Sequence, residues 1–101
     1  MILVTQTRRC SLIAKKHILL VDDHELVRKR IRSVVEERFA VCGEGSNGQE
    51  AVARTIELKP DLEILDVAMP VLNGIEAGRR IRRIASDTNI LLLSEHECFT
   101  A

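Results

Sequence analysis

Apolar residues recur along this chain in two rhythms that take turns. His17-Ile-Leu-Leu-Val21 is a short continuous apolar run, the signature of a strand covered on both faces. Behind it Leu26, Val27, Ile31, Val34 and Val35 fall near one helical stripe, with Arg28, Lys29, Arg32 and Glu36 turned to water. Phe39–Gly43 predicts a second strand. Asn47 then predicts a helix N-cap, with Glu50 three residues on in a capping-box arrangement. That helix is expected to run to about Leu58, where Pro60-Asp61 stops it. A third strand is expected over 62–66, a third helix over about 74–85, and a fourth strand over Asn89-Ile-Leu-Leu-Leu-Ser94. Strands separated by single helices imply right-handed βαβ units and a parallel sheet. No internal repeat or low-complexity segment interrupts the alternation.

Composition narrows the class. A chain of 101 residues suits one core, and 46% apolar with 30% charged residues is ordinary for a globular domain. No apolar run approaches the ~20 residues of a membrane span. Cys10, Cys42 and Cys98 are odd in number and lack metal-ligand spacing, which reads as three reduced thiols in the cytoplasm. The net charge is zero but unevenly placed. Residues 1–17 hold Arg8, Arg9, Lys15 and Lys16 and no acid, whereas the remainder has 11 basic and 15 acidic residues. The domain proper is therefore acidic, which argues against direct nucleic-acid binding. Met1–Lys16 has neither a long apolar region nor a cleavage site of signal-peptide type, and is expected to be a disordered extension.

The chemistry gathers at strand ends. Asp66-Val-Ala-Met-Pro-Val-Leu-Asn-Gly74 puts a carboxylate where the third strand stops, then a loop that Pro70 and Asn73-Gly74 force to turn. The first strand ends in Asp22-Asp23. Carboxyl ends of strands are where open α/β sheets bind ligands, and two such ends bearing carboxylates can converge on one hard cation.

This constellation resembles the receiver domain of bacterial two-component response regulators, over about residues 15–98. The resemblance implies an α/β, flavodoxin-like, doubly wound parallel sheet of strand order 2-1-3-4-5, cut short after the fourth strand, with 1–16 as extension and 17–101 as a partial receiver. It implies a Mg²⁺ cofactor held by Asp22, Asp23, Asp66 and the backbone carbonyl of Ala68. It implies that Asp66 accepts a phosphoryl group from a histidine kinase, and that Ser94 supplies the switch hydroxyl that turns toward it. Such a domain regulates and is not itself an enzyme. Val21-Asp-Asp-His-Glu25 and Leu93-Ser-Glu-His96 look like the subgroup that carries a helix-turn-helix output domain.

Departures accompany the match. The family's fifth strand carries a lysine that pairs with the phosphoryl group, yet no lysine follows Lys59 in these 101 residues. Phosphotransfer is expected to be impaired accordingly. Glu63 stands where a two-sided buried sheet wants Val or Ile, and its tolerance implies that this side is open to water. Without a fifth strand Ile90–Leu93 becomes an apolar edge, a template for self-association.

Other classes compete for the same residues. A receiver-like interaction module without phosphotransfer would keep the fold and lose the chemistry. Gly43-Glu-Gly-Ser-Asn-Gly48 fits a dinucleotide-binding fingerprint between a strand and a helix, but leaves Asp22-Asp23 and the Pro70 loop unexplained. Arg79, Arg80, Arg82 and Arg83 read as the solvated face of an amphipathic helix opposite Ile75, Ile81 and Ile84. His24 and His96 read as an exposed helix-start residue and a tail residue.

Overall fold

Strand and helix alternate along the chain as the apolar pattern predicts, and one addition follows the last parallel strand. The computed structural model describes residues 15–94 and 98–100, so the expectation of a disordered 1–16 extension falls almost wholly outside the described residues, as does His96. Its elements are β1 (Lys16–Val21), α1 (Glu25–Val35), β2 (Phe39–Gly45), α2 (Gly48–Leu58), β3 (Leu62–Asp66), α3 (Gly74–Ile84), β4 (Asn89–Leu93) and β5 (Cys98–Thr100). They form one sheet of order β2-β1-β3-β4-β5. The first four strands are parallel, while β5 returns antiparallel to β4, placing Thr100 opposite Leu91 and Cys98 opposite Leu93. The expectation that Ile90–Leu93 is an open edge is thereby corrected. Leu91–Leu93 pair with Cys98–Thr100 along that edge.

Two apolar layers flank the sheet. On one face Leu19, Val21, Leu65, Ile90 and Leu92 meet Ala51, Ala77 and Ile81 from α2 and α3. On the other, Ile18, Leu20 and Ile64 meet Ile31 and Val35 of α1. The α1 stripe is only half used, because Leu26 and Val34 lie exposed. The α3 stripe is displaced as well. Gly74, Ala77, Gly78 and Ile81 are buried at helical spacing, whereas Ile75 and Ile84 reach water.

Local chemistry fixes the helix starts. Asn47 and Asn73 accept the backbone N–H of Glu50 and Glu76 at 2.8 and 2.9 Å. Glu50 in turn takes the N–H of Ser46 at 2.8 Å, one residue before the position a standard capping box would use. Lys59 ends α2 in the left-handed region at φ 49°, with its N–H bonded back to Thr55.

The expectation for Glu63 is corrected too. It is fully buried on the α2 side, with its Oε1 2.7 Å from the hydroxyl of Thr55. Burial pushes its carboxyl up to about 7, against a weaker downward pull from the Thr55 hydrogen bond.

Candidate functional site: an acidic cleft at the strand ends

Parallel register delivers the acidic residues to one end of the sheet. Val21 stands beside Leu65, so the residues after β1 and the last residue of β3 emerge together. Asp22 donates its N–H to Gly45 O at 3.1 Å, extending the β1–β2 ladder by one rung. The Asp22 side chain is buried, and its Oδ1 accepts the His24 N–H at 2.8 Å, an Asx-type turn that opens α1.

Below Asp66, the loop Val67–Asn73 is fixed by three backbone bonds. Val67 N–H bonds Leu93 O at 2.8 Å, Gly74 N–H bonds Val67 O at 2.9 Å, and Leu72 N–H bonds Pro70 O at 2.7 Å. Glycine is required at both helix starts flanking this loop. A Cβ on Gly74 would meet the Asp66 carbonyl oxygen at 2.1 Å, and one on Gly48 would meet that of Leu72 at 2.0 Å.

One ligand atom each from Asp22, Asp23, His24 and Asp66 lies within 4.8 Å of the others. The cleft they border encloses about 480 Å³ and is lined by Asp22, His24, Val27, Asp66, Ala68, Leu93 and Ser94. The predicted aspartates, Ala68 and Ser94 are thus brought to one place, and among the described residues no lysine lines the cleft. Burial raises the Asp66 carboxyl above the usual carboxylate range. The charge of Asp22 adds to this, as does contact with Asp23, while the Ala68 N–H at 3.3 Å opposes it.

Asp23 Oδ1 is shut off from solvent and has no hydrogen-bond partner among the described residues. A carboxylate oxygen left in that state fits an arrangement completed by a cation, and all the protein oxygens around it suit a hard one.

Three residues to which sequence reasoning assigned no role in the site, Arg28, Arg32 and Glu44, support it. Arg28 donates Nη1 to Asp22 O at 2.5 Å and Nε to Glu44 Oε1 at 2.9 Å, while Arg32 also pairs with Glu44. The loop that presents Asp22 and Asp23 is thereby tied to the end of β2. Those hydrogen bonds hold the Glu44 carboxyl below its usual range despite burial that raises it. On helix α1 Arg28 looked like one of several solvated cations, and only the fold brings Glu44 to it.

The glycines of the dinucleotide fingerprint have other work. Gly43 and Gly45 lie inside β2, Gly48 packs on the Leu72 carbonyl, and no described glycine has a positive φ. The arginines of α3 face water, with Arg79 and Arg80 pairing with Glu76. Among the described residues no helix is long and apolar enough to cross a membrane.

A doubly wound parallel sheet with aspartates converging from the ends of β1 and β3, and a hydroxyl at the end of β4, defines a receiver-type regulatory domain. The chain belongs to the response regulator receiver domain family, whose model matches residues 18–100. It is 40% identical over 77 residues to the chemotaxis protein CheY of Halobacterium salinarum, spanning 76% of this chain and 64% of that protein. Against the response regulator UvrY of Escherichia coli the identity is 42% over 82 residues, spanning 79% of this chain and 38% of the relative. The chain therefore spans less than two thirds of the length of either relative. Among solved structures, a LuxR-family two-component response regulator from Aurantimonas sp. superposes with a TM-score of 0.77 at 35% identity, covering 83% of this chain and 61% of that one. The response regulator domain of Thermotoga maritima CheB gives 0.75 at 35% identity, covering 79% and 60%.

Proposed function

We propose that Asp66 is the phosphoacceptor of this receiver domain and that Asp22, Asp23 and Asp66, with the carbonyl of Ala68, hold a Mg²⁺ ion. The observation that carries the reading is the convergence of three carboxylates and Ser94 on a single cleft. The donor set fits the ion, since Mg²⁺ takes oxygen ligands and Asp23 Oδ1 is closed to solvent with no hydrogen-bond partner among the described residues. When bound, the ion offsets the charge of the incoming phosphoryl oxygens.

The residues of the chain do the rest. A carboxylate oxygen of Asp66 attacks the phosphorus of a phosphohistidine on a histidine kinase, an O–P bond forms as the P–N bond breaks, and the departing imidazole takes up a proton. The N–H of Ala68 at 3.3 Å from Asp66 Oδ1 orients the acceptor carboxyl. Ser94, which lines the cleft, donates its hydroxyl to a phosphoryl oxygen in this reading. Arg28 positions the Asp22–Asp23 loop through the Asp22 carbonyl. This is signalling chemistry in the cytoplasm, with one turnover per phosphoryl received and no substrate released as a metabolic product.

The test uses beryllofluoride as phosphoryl analogue with Mg²⁺, read by amide chemical shifts. The expected result is a shift centred on Asp66, Ala68 and Ser94 that requires Mg²⁺ and disappears in Asp66→Asn. Unchanged resonances at those three positions would contradict the assignment.

A further inference from the structure

Among the described residues at the acidic cleft, one donor is not an oxygen. His24 Nδ1 lies 3.0 Å from Asp23 Oδ1 and 3.3 Å from Asp22 Oδ1. We propose that His24 is a further ligand of the cation site, and that it shifts the site's preference from Mg²⁺ toward nitrogen-seeking ions such as Co²⁺, Ni²⁺ and Zn²⁺. The proposal rests on the reading of Asp22, Asp23 and Asp66 as a metal site.

Geometry comes first. Bonds from such ions to N or O ligands are roughly 2.0–2.2 Å, so two ligands of one ion stand at most about 4.4 Å apart. The donor atoms of Asp22, Asp23, His24 and Asp66 already lie within 4.8 Å of one another, and small side-chain rotations close the difference. The position of His24 supports the same role. It is the N-cap residue of α1, yet its side chain makes no capping bond to the helix and turns to the carboxylates instead. Its backbone N–H is held on Asp22 Oδ1 at 2.8 Å, which fixes the ring's origin beside the site. The ring is 68% exposed, so it is no core histidine, and an ion reaches it from solvent without opening the fold. Apart from that 3.0 Å contact with the ring, Asp23 Oδ1 is closed to solvent and has no hydrogen-bond partner among the described residues.

Ligand chemistry sets the consequence. Carboxylate, carbonyl and water oxygens suit Mg²⁺ and Mn²⁺, whereas an imidazole nitrogen adds affinity for Co²⁺, Ni²⁺, Cu²⁺ and Zn²⁺. If His24 is only an ion-pair partner of the aspartates, its removal frees the same carboxylates for every cation and changes both classes of ion alike.

Calorimetric titration of the full chain with Mg²⁺ and with Co²⁺ separates the cases, using wild type, His24→Asn and Asp23→Ala. Asn is a favoured N-cap, so the start of α1 is retained. The expected result is a loss of Co²⁺ affinity of at least roughly tenfold in His24→Asn, the lower end of what removing even an outer-shell partner costs, with Mg²⁺ affinity little changed. Imidazole proton resonances shifted by bound Co²⁺ should be present in wild type and absent from the variant. Equal changes for both ions, or unchanged Co²⁺ binding in His24→Asn while Asp23→Ala loses both, would overturn the role of His24 and leave the acidic site standing. Unchanged binding of both ions in Asp23→Ala would overturn the acidic site itself, and the proposal with it.

Discussion

The carboxyl of Glu63 is sealed between β3 and α2, and its proton is dictated by what surrounds it. Thr55 Oγ1 lies 2.6 Å from Ala51 O and 2.7 Å from Glu63 Oε1, and one hydroxyl hydrogen cannot serve both acceptors. A protonated Glu63 resolves the conflict by donating to Thr55, which then donates to Ala51. The second oxygen, Oε2, has no partner among the described residues, which a neutral carbonyl tolerates better than an anion. The sign follows. With the folded value raised to about 7 from 4.5, the folded chain holds the proton more tightly than the unfolded one. Stability is therefore full below about 4.5, falls as pH rises through the interval to 7, and loses about 3 kcal/mol across it. Asp66, also raised, contributes in the same direction. Urea unfolding at acid and neutral pH should show this loss in wild type and most of it removed in Glu63→Gln. An equal pH slope in the two proteins would contradict it. Nothing in the sequence forecast the burial, because an isolated Glu in an apolar strand reads as a gap in the cover rather than as an acid kept neutral. Asp22, Asp23 and Asp66 were legible for the opposite reason: each ends an apolar run, and parallel register brings such ends together.

Elements were readable where one residue type dominates the pattern and obscure where small residues carry the packing. The runs of Ile, Leu and Val marked β1, β3 and β4, the Asn47 cap marked α2, and the Asn73-Gly74 turn marked where α3 begins. The buried face of α3 was not legible, because Gly74, Ala77 and Gly78 bury little apolar area of their own and instead let α3 approach Asp66 and Leu65 closely. The loop before α3 holds a strained residue. Val71 sits at φ 70° with Leu72 N–H bonded to Pro70 O across it, a γ-turn that a β-branched side chain adopts only under constraint. The side chain is exposed, so its removal sacrifices little packing. Val71→Gly relieves strain of order 1–3 kcal/mol, offset by roughly 0.5–1 kcal/mol of added unfolded-state entropy, for a net gain of about 1 kcal/mol. A higher urea midpoint in Val71→Gly is the expected outcome, and a lower one would show the γ-turn to be unstrained.

At the scale of the molecule, the four parallel strands follow from the βαβ alternation, whereas β5 does not. Three residues carry no periodicity of their own from which an antiparallel partner could be read. The α1 side of the sheet is the less covered one, since Leu62, Leu91 and Leu93 are only half-buried there and Leu26 and Val34 of α1 are exposed. With the β4 edge paired, we expect the 101-residue chain to self-associate through this apolar side instead. Light scattering over a concentration series should register association that Leu26→Lys with Val34→Lys reduces. A monomer at every concentration would contradict it.

The central claim is that this domain takes a phosphoryl group on Asp66. Intact-mass measurement during incubation with acetyl phosphate and Mg²⁺ tests it most directly, followed by mapping of the modified residue. The expected result is addition of one phosphoryl group at Asp66, absent in Asp66→Asn. Among the described residues no lysine lines the cleft; for the 101-residue chain this removes one charge-assisted contact worth about 1.5–3 kcal/mol, and labelling should be at least roughly tenfold less favourable than in a receiver that has it. No phosphoryl group on wild type, or one that persists in Asp66→Asn, would contradict the account.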